Sequence, residues 1–275
     1  MKQFYFFLFK AFRIFKADAQ LTTAIHAPVA GELYQRYQCN STGIQPGPAG
    51  ANVLWNFSVA TRSSVNHSYT AAVSSNFQPA TVSLESDKSR EDHYRISPVT
   101  LQDFSSSFLL ATSYYVNLNY ISPSVKARYP MSLNTTSTAA TSGFISAIMI
   151  IPQAGTFIGT CTTLADGTGT LILPGITYTK VIRVVNTKAI SFAMSYNGTI
   201  VLKNYEFYAD GVKQPVFSIF TATLTIAAAT VRRTLVTRLK HAVPAAPLNL
   251  MPENDKLVCE NMSTTLSVSE TGTVE

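Results

Sequence analysis

The stretch that decides the fold class runs from Gly155 to Val185 and reads GTFIGTCTTLADGTGTLILPGITYTKVIRVV. Threonine and β-branched residues crowd this stretch, and such side chains fit a pleated, half-buried strand. Asp166-Gly167 and Pro174-Gly175 interrupt it, and both dipeptides are typical of tight turns. The stretch therefore predicts antiparallel strands joined by hairpins, and no arrangement of catalytic groups is visible in it.

The same pattern continues on both sides of this stretch. Short alternating runs recur, with turn dipeptides such as Asn197-Gly198 and Asp210-Gly211 between them. Turn signals roughly ten residues apart with short strands between them are typical of a sandwich. We therefore expect an all-β, antiparallel β-sandwich, Ig-like or jelly-roll-like, over residues 20–227.

Composition and charge narrow the class of protein. Apolar residues make up 46% of the 275 residues and charged residues 13%, about half the usual share of roughly 25%. This balance excludes a disordered chain, which needs low hydrophobicity and high net charge. The net charge is +6, but residues 1–19 hold four basic residues against Asp18 and so supply half of it. The other basic cluster, Arg232–His241, lacks interleaved aromatic residues, so we expect no nucleic-acid partner.

The two ends of the chain indicate export and a further domain. Residues 1–19 predict a signal peptide, with an apolar run after Lys2 and a small-x-small cleavage site at Ala17-Asp18-Ala19. Basic residues interrupt that run, so an amphipathic helix on a membrane surface is the alternative. Residues 228–256 are predicted to be a linker, and residues 257–275 the start of a truncated Ig-like domain. A secreted or outer cell-surface location follows, with no membrane span in the mature chain.

The cysteine pattern and the lack of common catalytic motifs argue against several classes of functional site. Cys39, Cys161 and Cys259 allow three pairings, among which the sequence does not choose, and we expect Cys161 to be a buried free thiol. No Cys-x-x-Cys pair is present to indicate a zinc or redox site. Nucleophile elbows, phosphate-binding loops and paired metal-binding histidines are also missing from the sequence. We therefore expect a protein that is not an enzyme and needs no cofactor.

Two groups of residues are candidate binding sites. Asp87, Glu91 and Asp92 could supply oxygen ligands to a cation, although neighbouring basic residues favour a solvated loop. Trp55, Tyr114 and Tyr115 could stack on sugar rings, although alternating aromatic residues on a strand more often belong to the core.

Three patches of the chain resemble a known group of proteins. They are PGPAGANVLWNFS at Pro46–Ser58, DGTGTLILP at Asp166–Pro174, and the segment from YEFY to KQPV at Tyr205–Val216. Together they resemble uncharacterised exported proteins of Bacteroidota, and Cys259–Glu275 is similar to the opening of an Ig-like repeat of those proteins. The resemblance implies a large surface or secreted chain with Ig-like repeats and a type IX secretion sorting domain, and it implies no catalytic residues.

These observations support three hypotheses of function. The first is a non-catalytic exported or cell-surface protein with a structural or adhesive role, whose partner is an extracellular glycan or a cell-surface protein. The second is a carbohydrate-binding accessory module of a larger secreted enzyme. The third is an outer-membrane β-barrel, which needs strands of roughly ten residues and an apolar band; the strands read from this sequence are shorter.

Overall fold

A computed structural model of the chain describes residues 19–73, 80–86, 90–111, 114–148, 152–227 and 229–240, with the backbone alone at 64–67, 85–86, 90, 111 and 114. These residues form a short helix, α1 (Thr23–His26), and thirteen strands. In the described part of the chain, no helix is long and apolar enough to cross a membrane. The strands are β1 (Leu33–Cys39), β2 (Gly50–Asn56), β3 (Arg62–Val73), β4 (Val82–Ser86), β5 (Arg90–Ile96), β6 (Thr100–Ala111), β7 (Tyr114–Arg128), β8 (Thr136–Ile148), β9 (Gln153–Leu173), β10 (Ile176–Ala193), β11 (Asn197–Ala209), β12 (Phe217–Ile226) and β13 (Ala229–Leu239).

The strands close into a barrel, and the predicted sandwich is wrong. Strands β3 to β13 follow one another as an antiparallel meander, and β1 pairs with both β13 and β3 to complete a ring of twelve. Two extended segments lie outside the ring. Strand β2 pairs in parallel with the last part of β9, and Leu21 forms an isolated bridge with Met131. A closed ring leaves its strands no free edge to pair with another chain.

The error arose from strand length. The predicted strands were short, but β9 has 21 residues and β10 has 18, and Asp166–Gly169 lies within β9 instead of forming a turn. Its glycines are places of close approach: a Cβ on Gly169 would lie 1.9 Å from the Val53 carbonyl oxygen of β2. The turn at Pro174-Gly175 is confirmed, with Gly175 at φ +75°, a conformation that glycine adopts without strain.

The barrel also takes in part of the predicted linker. Strand β13 lies within residues 228–256 and pairs with β1 over four residues, Arg36 to Cys39. Residues 1–18, which hold most of the predicted signal peptide, and residues 257–275, the predicted Ig-like start, lie outside the described residues.

Apolar side chains form three clusters: one inside the lumen, one outside the wall, and one at the other end of the lumen that includes Leu101, Tyr129 and Tyr208. Inside, one end of the lumen is filled by side chains of β6 to β12, among them Leu118, Phe157 and Ala222. Outside, the connection between β1 and β3 folds back over the wall and buries Trp55 and Phe57; we call this second region the outer core. The other end of the lumen is different in character, because charged and hydroxyl side chains enter it.

Candidate binding cavity inside the barrel

An ion pair crosses the middle of the lumen. Lys188 of β10 donates to the Asp103 carboxylate of β6 at 2.6 Å and to the Tyr120 hydroxyl at 3.0 Å, and the Ser124 hydroxyl donates to Asp103 at 2.7 Å. The side chains of Lys188 and Asp103 are 8% and 3% exposed. Because β6 and β10 are not neighbours in the sheet, the pair ties opposite walls together.

Burial sets the protonation of this group. Burial by itself would lower the pKa of Lys188, but the opposing interactions, led by the attraction of Asp103 and including its hydrogen bond, together outweigh burial and hold that pKa well above its ordinary value. Burial raises the pKa of the Tyr120 phenol and of the Cys161 thiol. Cys161 is a buried free thiol, as predicted. At neutral pH it is therefore protonated and is not a nucleophile.

A second ion pair crosses the lumen, nearer its polar end. Lys126 of β7 lies 3.4 Å from the Glu206 carboxylate of β11, and its ammonium donates to the Tyr94 hydroxyl at 3.2 Å. The Tyr208 hydroxyl and the Asn204 amide each donate to Glu206 at 2.9 Å. Burial, and then the charge of Glu206, hold the pKa of Tyr208 well above its ordinary value, so this phenol stays a donor.

A cavity of about 70 Å³ lies beside this second ion pair. One water needs roughly 10–15 Å³ of such space, so the cavity has room for several waters or one small molecule. Its walls come from β1, β3 to β7 and β11 to β13. Its polar lining includes His26, Tyr34, Arg36, Tyr69, Asp92, Tyr94, Lys126, Asn204, Glu206, Tyr208, Gln214, Ser218 and Thr237.

Two segments cover the cavity. The ring of His26, at the end of α1, packs edge-on against Tyr208 with 5.5 Å between ring centroids. Lys213 and Gln214 lie between β11 and β12, and Lys213 forms an ion pair with Glu32. Burial lowers the pKa of His26, so its imidazole is neutral at pH 7.

Arg36 is unusual among the charged residues of this cavity because it is buried and its hydrogen-bond partners are all neutral. It is 4% exposed, and its Nε donates to the Thr237 hydroxyl at 2.8 Å. Its Nη1 donates to the Pro215 carbonyl at 2.5 Å, and its Nη2 to the Ser218 hydroxyl at 3.1 Å. All of these partners are neutral. Within the described ranges the guanidinium forms no ion pair, although buried charges are usually paired.

Asn204 also carries an unsatisfied atom. Its Oδ1 is buried and has no hydrogen-bond partner among the described residues. The orientation of the amide is set by Glu206, because a flipped amide would bring Oδ1 against the carboxylate that Nδ2 now faces. An orphaned buried acceptor is costly, and this one belongs to a residue of the cavity wall.

The aromatic residues predicted to bind sugars lie elsewhere. Trp55 is 2% exposed, its indole donates to the Pro48 carbonyl at 3.0 Å, and it packs edge-on against Phe207 of the outer core. It therefore offers no ring face to a ligand. Tyr115 is half-buried on β7, and the Tyr114 side chain lies outside the described set.

The carboxylates predicted to bind a cation do not converge. Asp92 is buried and lines the cavity, whereas Glu91, its neighbour on the strand, pairs with His93 at 2.7 Å. Successive residues of a strand face opposite sides of the sheet. Asp87 lies outside the described residues. Across the described ranges, no group of three or more His, Cys, Asp or Glu side chains is placed to hold a metal ion.

The cavity residues were missed because their signal is weak in sequence. Along β11 the inward positions are Ile200, Leu202, Asn204, Glu206 and Tyr208. The polar residues occupy the same alternate positions of the strand as the apolar ones, and this alternation is the signal that could have found them. The short strands predicted from the sequence do not show this alternation, because it extends over the 13 residues of β11.

The fold and cavity place this chain among closed β-barrels with a partly polar lumen. Compared with protein-family models, with curated proteins and with solved structures, it gives no match.

Proposed function

We propose that this chain is a non-catalytic, exported or cell-surface protein that binds a small polar molecule in the lumen of its barrel. The observation that carries the proposal is the cavity of about 70 Å³, which is lined in part by Asn204, a residue whose buried Oδ1 has no partner among the described residues. A bound hydroxyl or amino group would satisfy that acceptor. Export is supported by the cleavage-site pattern at Ala17-Asp18-Ala19.

The arrangement around Glu206 favours binding over catalysis. This carboxylate already accepts hydrogen bonds from Tyr208 and Asn204 and pairs with Lys126. The oxygens of this carboxylate are already engaged by those three groups, which leaves them little freedom to contact a substrate. Its role in the cavity is to hold its neighbours in position.

The test is a binding survey on the full chain. Thermal unfolding and calorimetry would be measured with neutral polyols, carboxylates, zwitterions and amines of a few heavy atoms. At least one of these classes should raise the unfolding temperature saturably and bind with one site per chain, because a ligand of the folded state stabilises it. A cavity-filling variant, Ser218→Met, should lose that binding, whereas Thr221→Met on the outer wall should keep it. Failure of every class, or equal binding by Ser218→Met, would refute the proposal.

A second candidate, a structural or adhesive surface, is supported by the outer wall. Cross-strand register aligns one row of outward side chains over six strands, and two of its hydroxyls lie 3.1 Å apart. Such a row of hydroxyl groups can exchange hydrogen bonds with a hydroxyl-rich surface. The row consists of Thr138, Thr162, Thr187, Lys203, Thr221 and Thr234.

A glycan array would test the adhesive candidate. The full chain should bind extracellular glycans, and Thr162→Glu, which places a charge in the row, should weaken that binding while Ser218→Met leaves it intact. The opposite dependence would assign glycan binding to the cavity.

A further inference from the structure

We infer that the cavity selects a small carboxylate that also carries a hydroxyl or amino group, with the carboxylate at Arg36 and the donor at Oδ1 of Asn204. The inference rests on the proposed function and names the class of ligand for that cavity. It begins from the charge of Arg36.

Two other buried cations of the barrel, and the partly buried Lys126, show what Arg36 lacks. Arg183, Lys188 and Lys126 each have a carboxylate oxygen within 4.0 Å, at 2.6 Å, 2.6 Å and 3.4 Å. Arg36 is 4% exposed and is held only by hydroxyl and carbonyl oxygens of Thr237, Ser218 and Pro215. These oxygens orient the guanidinium without neutralising it. An anion in the adjoining cavity would supply the missing charge.

The guanidinium also has a donor to spare. Arginine carries five N–H groups, and the four hydrogen bonds of Arg36 use one N–H of Nε, one of Nη1 and two of Nη2. The second N–H of Nη1 has no partner among the described residues. A carboxylate accepts such a donor in a short, charge-assisted bond.

The remaining lining restricts the ligand further. Asp92 and Glu206 also line the cavity, and like charges repel, so an anion of higher charge than a monocarboxylate is disfavoured. Oδ1 of Asn204 needs a donor, which a bare carboxylate does not have. The volume of about 70 Å³ restricts the ligand to a few heavy atoms. A small hydroxy acid or amino acid meets all three conditions.

Five probes separate these requirements in a thermal unfolding assay on the full chain at constant ionic strength. Glycolate carries the carboxylate and a hydroxyl, and glycine carries the carboxylate and an ammonium group. Acetate carries the carboxylate alone, and glycerol carries hydroxyls without charge. Chloride tests for a simple ion effect. Glycolate or glycine should raise the unfolding temperature saturably and more than acetate, while glycerol and chloride should leave it unchanged.

Two variants test whether the rise in unfolding temperature depends on Arg36 and on Asn204. Arg36→Met should weaken binding of the better acid by about tenfold or more, because a charge-assisted bond is lost, and Arg62→Met on the outside of the wall should not. Asn204→Leu should remove the preference of glycolate or glycine over acetate and leave acetate unchanged. This second variant tests the inference even if Arg36→Met does not fold.

The outcomes separate this inference from the proposed function. Binding of glycerol without binding of any acid would overturn the inference and leave the cavity as a site for neutral molecules. Stabilisation by acids that persists in Arg36→Met would also overturn it. Failure of every probe, together with failure of the wider survey, would overturn both.

Discussion

Two arginines of this barrel are almost equally buried, but one is paired with a carboxylate and the other is held by neutral groups. Arg183, 1% exposed, lies in the outer core and donates two hydrogen bonds to the Asp166 carboxylate at 2.6 and 2.9 Å. It also donates to the Pro46 carbonyl at 2.6 Å, and its guanidinium lies 5.2 Å from the ring of Trp55. Arg36, 4% exposed, lies in the lumen beside a cavity and contacts only neutral oxygens.

The difference separates a structural charge from a functional one. A buried guanidinium needs a counter-charge, and the outer core provides it from Asp166 of the same chain. The pair also fastens the connection between β1 and β3 to β9 and β10, because the Pro46 carbonyl belongs to that connection. The lumen keeps its guanidinium in position with neutral groups and leaves its charge to be neutralised from the cavity.

The largest effect is expected from breaking the Arg183 pair. Asp166→Asn keeps the shape of the side chain but leaves a buried guanidinium uncompensated, which should lower the free energy of unfolding by about 3–5 kcal/mol. Urea denaturation would measure it. Asp210→Asn is the matched control, because its pair with Lys180 is exposed and 3.9 Å long and should contribute less than about 1 kcal/mol. Equal losses in the two variants would show that Arg183 does not depend on its partner.

The local structure around these two sites was predictable to different degrees. The β-branched residues of β9 and β10 predict strands correctly, and Pro174-Gly175 marks a real turn. Asp166-Gly167 predicts a turn, because an aspartate beside a glycine suits one. In the structure the glycine admits Trp55, whose Cζ2 would lie 2.7 Å from a Cβ at Gly167. That requirement comes from a strand more than a hundred residues away, so local sequence could not show it.

The cavity was less predictable than the fold. Arg36 is one of 21 lysine and arginine residues, and nothing nearby in sequence marks it as buried. Its burial depends on β13, which places Thr237 against it, and β13 was assigned to a linker. Closure of the ring, which turns one face of β1 toward the lumen, is a long-range property that strand propensities do not encode.

A second change should loosen the outer core while leaving the lumen intact. In Gly169→Ala the new Cβ would clash with the Val53 carbonyl, so β2 must shift, at a cost of about 1–3 kcal/mol. Trp55 is the one tryptophan of the chain, and its emission should move to longer wavelength as its surroundings become wetter. Thr170→Ala, the next residue of β9, is the control. Unchanged emission in Gly169→Ala would show that β2 is not needed to bury Trp55.

High pH should lower the free energy of unfolding, because two tyrosines, one in each region, hold their phenol protons more tightly in the folded state than in the unfolded chain. Burial raises the pKa of Tyr129 in the lumen and of Tyr178 beside the outer core to about 12. The unfolded chain loses these protons near the ordinary value of 10, so stability is complete below pH 10 and falls as pH rises toward 12.

Phenylalanine variants would measure this contribution. Between about pH 9 and about pH 11, Tyr129→Phe should lose less stability than the unmodified chain by roughly 1.4 kcal/mol, and Tyr178→Phe should behave in the same direction. Urea denaturation at each pH would give the slopes. A variant whose stability falls with pH as steeply as that of the unmodified chain would show that its phenol does not titrate on unfolding.

The smallest effect on stability is expected from replacing Arg36. This result decides whether Arg36 and Arg183 differ in their contribution to the fold. Arg36→Met removes a buried charge along with its hydrogen bonds, and such exchanges are often neutral or stabilising. The Ser218 and Thr237 hydroxyls, which lie 2.8 Å apart, keep each other as partners when the guanidinium is gone. In the absence of ligand, the free energy of unfolding should therefore change by less than about 1 kcal/mol, against about 3–5 kcal/mol for Asp166→Asn. A loss as large as that of Asp166→Asn would mean that Arg36 fastens the lumen as Arg183 fastens the outer core, and its charge would then need no ligand to explain it.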